Sequence, residues 1–447
     1  MQTKRNAHFS RALASIFAGA ALCLAPGLMT GDAAAEEVAP GTTIDASNID
    51  TLLDHTYDGV RVGDALPERI RWMVRNWNLR MTLEANEAWP KDKVLEELTR
   101  QYSPQVKLDP STKEISNYVT GVPFPEIDFE NDKDAGWKVV WNFRYGKQQE
   151  DNAELPWFVF VLTDGTSGIE REQEWYLFSH HGIGNTRRDH PHVLGDGTLF
   201  NKSILAALAP HDVKGTGVLT IRYSTGKLDD TWAYIRTVRR VRRLSGGAWV
   251  DPIGGTDQLQ DDFQGFNAHP TWYKDFKVVG RQKMFVQADI RKSVLNPEAN
   301  SHAERYPGMD VTNPPYWNLT HPWQVRDVVI VEAIPPEIHP YSRKLLYFAP
   351  GPWTNMFGEF FDKKGEIWKT INLAHKCWCG DLGRAVDFGG FGLTTTPDRN
   401  IVYPINGVTV DYQRLHATTF VADRITYNSP NLEPDDISLS MLEEKAR

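Results

Sequence analysis

The runs Val218-Leu-Thr-Ile-Arg-Tyr223 and Thr231–Val241, the second beginning Thr-Trp-Ala-Tyr-Ile, decide the fold class of this 447-residue chain. Both are rich in β-branched and aromatic residues, and glycine and aspartate separate them, which is typical of antiparallel strands. Runs of the same kind recur along the chain. The predicted strands are Glu174–Ser179, Val218–Tyr223, Thr231–Val241, Lys277–Ala288, Val325–Glu332, Lys344–Phe348, Glu366–Leu373, Arg384–Phe388 and Asn400–Ile405.

Helical periodicity is confined to the first part of the chain. Pro67–Arg80 and Lys91–Tyr102 carry apolar residues at helical spacing, and Val106–Ile115 is predicted to be a hairpin that turns on Asp109-Pro110. Because few helices lie between the later strands, a parallel α/β sheet is disfavoured. We expect a mainly β (α+β) fold, with a large curved antiparallel sheet or incomplete β-barrel and a few helices on its concave side.

The first 35 residues predict export. Lys4, Arg5 and Arg11 precede an apolar stretch at positions 12–28, and the alanines at positions 33–35 form a cleavage site of the A-x-A type. The alternative is an N-terminal anchor that is not cleaved. The expected organisation is a signal peptide at 1–35, a single β-rich domain at 36–430 and an acidic C-terminal tail or short helix at 431–447.

The charge and hydropathy of the chain exclude some functions. Its formal net charge is −9, and about −11 beyond residue 35, so a general nucleic-acid binder is not expected because phosphate binding needs a positive surface. The longest later apolar run, Trp157–Leu162, has only the length of a strand, which disfavours a second membrane-spanning helix. No P-loop, dinucleotide-binding or nucleophile-elbow motif is present, so we expect neither a cofactor nor an enzyme.

An arginine-rich run is the most distinctive feature of the sequence. Trp232, Tyr234 and Arg236 would share one strand face, and five arginines fall within eight residues. Guanidinium groups bind phosphates and carboxylates in a bidentate manner, which indicates an anionic head group or an acidic partner surface. The predicted ligand- or partner-binding residues are Trp232, Tyr234, Arg236, Arg239, Arg240, Arg242, Arg243, Asp257, Asp261 and Asp262.

A structural interpretation of the same charges remains open. Asp251, Asp257, Asp261 and Asp262 follow the arginines closely along the chain. They could pair with those arginines in a buried network inside the protein, since charge clusters are often structural.

Histidines and cysteines offer a different chemistry. His180, His181, His190 and His192 lie within thirteen residues, and imidazole is the commonest ligand of zinc and copper. These four are weak metal candidates, because no H-E-x-x-H helix accompanies them and an ordinary polar loop explains them equally. Cys377-Trp-Cys379 is compatible with a disulfide, a pair of metal ligands or two buried thiols.

Several motifs together resemble a known bacterial family. The D-x-W-x-Y motif at 230–234, the R-R-V-R-R run at 239–243 and the D-D-x-x-G-F motif at 261–266 resemble domain of unknown function 1329, which is labelled outer-membrane lipoprotein-sorting-like. Gly121–Pro125 and the block from Arg343 to Trp368 match the same family. The resemblance therefore extends from Gly121 to Trp368.

The resemblance implies a fold similar to the LolA and LolB lipoprotein carriers, an incomplete barrel around an apolar cavity. It also implies a periplasmic carrier or adaptor for hydrophobic or lipid-like cargo, working with an exporter of the resistance-nodulation-division (RND) type or an outer-membrane partner. The alternative is a metal-dependent or carbohydrate-active periplasmic enzyme.

Overall fold

The computed structural model describes residues 36–146, 152–187, 191–235, 240–382, 399–422, 425–427 and 437–445, which contain seven α-helices and twenty-two strands. The helices are α1 (Ile49–Leu52), α2 (Val62–Ala65), α3 (Glu68–Asn76), α4 (Lys93–Tyr102), α5 (Ala135–Tyr145), α6 (His302–Arg305) and α7 (Leu439–Lys445). The strands are β1 (Thr43–Ile44), β2 (Thr56–Tyr57), β3 (Val60–Arg61), β4 (Met81–Thr82), β5 (Lys107–Leu108), β6 (Ile115–Ser116), β7 (Asn152–Asp164), β8 (Gly168–His181), β9 (Leu199–Ala209), β10 (Gly217–Tyr223), β11 (Asp230–Ile235), β12 (Arg240–Arg243), β13 (Asp275–Val286), β14 (Met309–Asp310), β15 (Asn318–Leu319), β16 (Gln324–Ile334), β17 (Arg343–Ala349), β18 (Thr354–Phe361), β19 (Ile367–Cys379), β20 (Asn400–Asp411), β21 (His416–Val421) and β22 (Thr426–Tyr427).

Fourteen of these strands form one antiparallel sheet. Its order is β12-β11-β10-β9-β8-β7-β21-β20-β19-β18-β17-β16-β13, and β22 pairs with β7. Because β12 and β13 lie at opposite ends of this order, the curved sheet is not closed into a barrel. The predicted mainly β fold with a large antiparallel sheet is confirmed.

The segment 244–274 joins the two edges of the sheet, and we call it the crossover segment. It leaves edge strand β12, forms three short 3₁₀ turns and enters β13 at the other edge. On the way it makes hydrogen bonds to β21, β20, β19, β18 and β17. The crossover segment therefore lies across the middle of the sheet and covers one of its faces.

Helix α5 packs beside the crossover segment. Phe143 of α5 contacts Phe266 of the crossover segment and Phe348 of β17, with ring centroids 6.4 Å and 4.9 Å away. Every residue of α5 except Lys138 is buried. A helix that is buried on nearly all sides has no exposed polar face, so it has little amphipathic period to reveal it. The sequence did not predict α5 for this reason.

The opposite face of the sheet is covered as well. The N-terminal helices α1, α2 and α3 share a buried apolar cluster with β13, β16, β17 and β18. The chain between β13 and β16 contributes large side chains, among them Trp317 and Tyr306, to a second cluster with β7, β20 and β21. The centre of the sheet is thus packed between two layers of chain.

Most predicted elements are present with shifted ends. The helices predicted at Pro67–Arg80 and Lys91–Tyr102 are α3 and α4, and the predicted hairpin is the β5–β6 pair. Of the long strands, β7, β9, β18 and β21 were not among those predicted, although Trp157–Leu162 of β7 was recognised as a run of strand length. The predicted strand Arg384–Phe388 lies outside the described residues.

The run Thr231–Val241 corrects one prediction. It was expected to be a single strand, but its described parts belong to β11 and β12, which pair antiparallel with Trp232 opposite Arg243. Across the described residues, we find no helix that is long and apolar enough to span a membrane.

Candidate functional site

Strands β8 to β12 carry two rows of directly paired residues on one face of the sheet. The first row runs Phe178, Ile204, Leu219, Trp232, Arg243. The second row runs Tyr176, Ala206, Gly217, Tyr234, Val241. Directly opposite residues of antiparallel strands point to the same side. These two rows form one surface, which we call the aromatic face.

Helix α7 covers the aromatic face. Ile437, Met441 and Leu442 are buried against it, and the ammonium of Lys445 lies 4.6 Å from the ring centroid of Tyr176. Leu439, on the other side of the helix, is 42% exposed. The aromatic face is therefore closed by the inner side of a seven-residue helix.

The attachment of α7 is weak on physical grounds. Burial of each apolar side chain contributes about 1.5–3 kcal/mol, whereas ordering each backbone residue costs about 1–2 kcal/mol. Helices shorter than about 12 residues are marginal in water without tertiary contacts. Two apolar anchors on the helix, Met441 and Leu442, and one just before it, Ile437, thus come close to balancing the cost of ordering this segment.

Strand β12 borders the aromatic face with Val241 and Arg243, and its other two residues, Arg240 and Arg242, alternate to the opposite side of the strand. Arg240, Arg242 and Arg243 are exposed, and we call them the arginine edge. Arg243 pairs with Asp230 and its guanidinium lies 5.9 Å from the ring of Trp232. Charged side chains on an edge strand also prevent unwanted strand pairing, which is the structural alternative for this edge. The predicted site residues Arg236 and Arg239 lie outside the described residues.

The aspartates of the predicted site have different partners. Asp261 accepts hydrogen bonds from Lys344 at 2.7 Å and from the Tyr273 hydroxyl at 2.5 Å, and His339 Nε2 lies 3.2 Å away. Lys344 also lies 3.0 Å from Asp262. Burial would raise the pKa of Asp261, but the charges of Lys344 and His339 hold it well below its ordinary value.

Asp257 forms a second buried cluster. His416 Nδ1 lies 2.6 Å from its carboxylate, and Thr418 donates a hydrogen bond of 2.7 Å to it. The other ring nitrogen of His416 lies 3.2 Å from Glu170. Burial would lower the pKa of His416, but hydrogen bonds to Asp257 and Glu170 raise it above its ordinary value.

The predicted pairing of the aspartates with the arginines is therefore wrong for the described residues of the run. Asp257, Asp261 and Asp262 are paired with cations of the sheet, and Arg243 is paired with Asp230. The predicted site residues fall into two groups. Trp232, Tyr234 and the arginine edge lie together at one end of the sheet, whereas the aspartates belong to the crossover segment and pair with cations on the middle of the sheet.

Sequence reasoning missed the cations that meet these aspartates. Lys344 is fully buried on β17, and its only sequence signal is a lysine within an otherwise apolar run, Lys-Leu-Leu-Tyr-Phe-Ala. A charged residue in a buried strand requires a buried partner of opposite sign. That rule predicts an acidic partner for Lys344 but does not identify it.

The histidine-rich segment does not form a metal site within the described residues. His180 is buried and His181 half-buried at the end of β8, and His192 Nδ1 lies 2.8 Å from the carbonyl oxygen of Asn185. Among the residues that the structure describes, no group of three metal-ligating side chains comes together. His190 lies outside them.

Cys377 and Cys379 are joined by a disulfide at the end of β19. Both are buried and pack with Val402. Of the three alternatives that the sequence left open, the structure has the disulfide.

An open cleft of about 740 Å³ lies near the N-terminal part of the fold. Arg291 lines this cleft, and its guanidinium pairs with Glu84, Glu87 and Asp289 at 3.5, 3.0 and 3.0 Å. The charged groups of this cleft thus neutralise one another in part. The cleft lining is Pro40, Gly41, Thr82, Leu83, Glu84, Ala85, Asn86, Glu87, Arg291 and Pro322.

These features define an open antiparallel-sheet protein whose centre is packed on both faces and whose end carries a helix-covered apolar face. The chain belongs to the family described as Protein of unknown function (DUF1329), whose model matches residues 43–385. The family resemblance in the sequence is thereby confirmed. A comparison with curated proteins found no match.

Three solved structures are similar to this chain at low sequence identity. A domain from Vibrio parahaemolyticus classed with outer-membrane lipoprotein-sorting proteins is 15% identical, with a TM-score of 0.46, covering 70% of this chain and 100% of that one. A DUF1329 family protein from Desulfovibrio piger is 16% identical, with a TM-score of 0.45 and coverage of 69% and 98%. A LolA superfamily protein from Nitrosomonas europaea is 10% identical, with a TM-score of 0.39 and coverage of 68% and 98%.

Proposed function

We propose that this protein is a periplasmic carrier or adaptor for hydrophobic or lipid-like cargo. The observation that carries the proposal is the aromatic face, a set of paired apolar side chains whose described cover is the single short helix α7. Each methylene of an acyl chain is disfavoured in water by about 0.8 kcal/mol, and an apolar surface that can be uncovered removes that cost. The predicted signal peptide supports a periplasmic location.

The cargo-binding site is at the end of the sheet rather than at its centre. The centre is occupied by α5 and the crossover segment, which pack Phe143, Phe266 and Phe348 against one another. At the end of the sheet, Tyr176 and Tyr234 are buried mainly by side chains of the face itself and of α7. An apolar chain could replace α7 there without disturbing the packed centre. The family resemblance adds the proposal that the cargo is exchanged with an RND-type exporter or an outer-membrane partner.

Extraction of bound lipid tests the proposal. The exported protein is purified without detergent, extracted with organic solvent and analysed by mass spectrometry. We expect a bound amphiphile in the wild type and its loss in Leu219→Asp, which places a charge in the middle of the aromatic face. Val279→Asp is the matched control, because Val279 is 53% exposed on the opposite edge strand β13.

The outcomes are decisive in both directions. A wild type that yields no more amphiphile than an unrelated exported protein rejects cargo binding. If a folded Leu219→Asp variant retains the cargo, the binding site lies outside the aromatic face. Trp232→Ala, at the half-buried border of the face, is the milder second variant if Leu219→Asp fails to fold.

A further inference from the structure

We infer that α7 is a built-in competitor of the cargo, displaced by an amphiphile with an anionic head group. The apolar chain of the amphiphile takes the place of α7 on the aromatic face, and its head group binds at the arginine edge. This inference rests on the proposed function and adds the regulation of the site and the charge of the ligand.

The contacts of α7 resemble those that an apolar chain would make. Met441 and Leu442 of the helix, with Ile437 just before it, are apolar side chains in one buried cluster with the sheet, and the helix contacts β9, β10 and β11. The outward residues Leu439, Ser440 and Glu444 are exposed. The apolar part of this interface does not require a helix, because the hydrophobic effect is non-directional. A flexible acyl chain can therefore replace the three side chains.

The first row of the aromatic face gives the cargo a direction. Phe178, Ile204, Leu219 and Trp232 lie on four neighbouring strands, and neighbouring strands are about 4.8 Å apart. The row is thus about 14 Å long, and Arg243 is the next residue along it. A chain that lies along this row places its end beside a guanidinium.

The chemistry at the end of the row selects an anion. The side chain of Arg243 is 66% exposed although it pairs with Asp230, so part of its guanidinium faces solvent. Arg240 and Arg242 are exposed on the same short strand, and because side chains alternate along a strand they extend from its other side and add positive charge to the edge. A guanidinium has five donors in a planar fork and binds carboxylate or phosphate oxygens in a bidentate manner. An acidic head group therefore fits this edge better than a neutral one.

A matched pair of leucines on α7 tests the competition. Leu442 is fully buried against the aromatic face, whereas Leu439 is 42% exposed, so Leu442→Asp undocks α7 and Leu439→Asp makes the same chemical change on its outer side. The probe is 11-(dansylamino)undecanoic acid, a fluorescent fatty acid, titrated into the full-length exported protein. We expect Leu442→Asp to lower the Kd about tenfold relative to the wild type, and Leu439→Asp to leave it unchanged.

Hydrogen exchange of α7 supplies an independent measurement. The probe is expected to increase exchange at residues 437–445 of the wild type, because the displaced helix loses its protection. Met441→Asp serves as the second variant if Leu442→Asp fails to fold.

The results separate the inference from the function on which it rests. Failure of every variant to bind the probe overturns the proposed carrier function. Equal Kd values for wild type and Leu442→Asp, with α7 still protected in the complex, overturn the competition and leave the carrier in place. A higher Kd in Leu442→Asp than in the wild type would mean that α7 is part of the binding site, and it likewise overturns the competition.

Discussion

Lys344 on β17 and Asp261 in the crossover segment form an ion pair of 2.7 Å in which both side chains are completely buried. The same ammonium lies 3.0 Å from Asp262. A buried charge is tolerated only when its partner is in place, because the desolvation cost of each ion is several kcal/mol. This pair therefore fixes where the crossover segment lies on the sheet.

Removal of the cation should destabilise the protein strongly. Lys344→Met leaves Asp261 and Asp262 buried without their cation, and we expect a loss of about 3–5 kcal/mol in the free energy of unfolding. Urea denaturation measures it. The control is Lys274→Met, because Lys274 pairs with Glu337 at an exposed site, where ion pairs contribute about 0–1 kcal/mol. A loss in Lys344→Met no larger than in the control would show that the buried pair does not hold the crossover segment.

His416 should make stability depend on pH. Its pKa is raised above the ordinary value of 6.5, since the hydrogen bonds to Asp257 and Glu170 outweigh the effect of burial. Protonated His416 therefore stabilises the folded protein. This contribution is complete at a pH below the pKa of the histidine in the unfolded chain, and it is lost as the pH rises through the pKa in the folded protein. The pKa of Asp257 is lowered from 3.8, so its own contribution is lost only in stronger acid.

The matching experiment compares His416→Asn with the wild type. We expect the variant to lose about 1–3 kcal/mol at pH 5.5, where a charged hydrogen bond is removed, and less at pH 9. Urea unfolding at both pH values gives the difference. His302→Asn is the control, because the His302 side chain is 57% exposed. An equal loss at the two pH values would assign His416 a role in packing alone.

The sequence predicted the fold class because its short strands are local signals. Val218–Tyr223 and Lys344–Phe348 were recognisable from composition and their flanking turn residues, and both lie within strands of the main sheet. Helix α5 was not recognisable, because its nearly complete burial removes the polar side on which helical periodicity depends. The division of Thr231–Val241 into β11 and β12 was missed because both parts have the composition of strands.

The candidate site was predicted only where its parts are close in sequence. Trp232 and Tyr234 were predicted to share one strand face, whereas the pairing of Trp232 with Arg243 depends on the β11–β12 hairpin, which was not predicted. The partners of Asp257 and Asp261 lie on β21 and β17, far along the chain. Only the sheet topology brings these groups together, and the neighbouring arginines were the nearer but wrong choice.

Gly136 should not tolerate a side chain. It lies in α5, where alanine would ordinarily stabilise a helix by up to about 1 kcal/mol. A Cβ at Gly136, however, would overlap the carbonyl oxygen of Phe276 on β13. We expect Gly136→Ala to destabilise the protein by about 1–3 kcal/mol, measured by urea unfolding. Gly247→Ala, whose Cβ would meet only Ser245 Oγ at an ordinary contact distance of 3.9 Å and whose φ is −89°, should be neutral or slightly stabilising. A stabilising Gly136→Ala contradicts the close approach of α5 to β13.

The arginine edge should discriminate ligands by charge. In the triple variant Arg240→Gln, Arg242→Gln, Arg243→Gln, the apolar binding site is kept and the cations are removed. We expect its Kd for the fluorescent fatty acid to rise about tenfold, since a charge-assisted hydrogen bond contributes about 1.5–3 kcal/mol. The Kd for the corresponding primary amide, which has the same chain and no charge, should stay within a factor of about two because apolar burial is unchanged.

Arg281→Gln is the matched control for this series. Arg281 lies on the opposite edge strand β13 and pairs there with Glu130 at 2.6 Å. Its loss should not alter the Kd of either probe, because at physiological salt a charge acts over about 8 Å and Arg281 lies at the other end of the strand order. Two results would reject a head-group role for the arginine edge. One is an equal rise in Kd for acid and amide in the triple variant, and the other is a rise for the acid in Arg281→Gln that matches that of the triple variant.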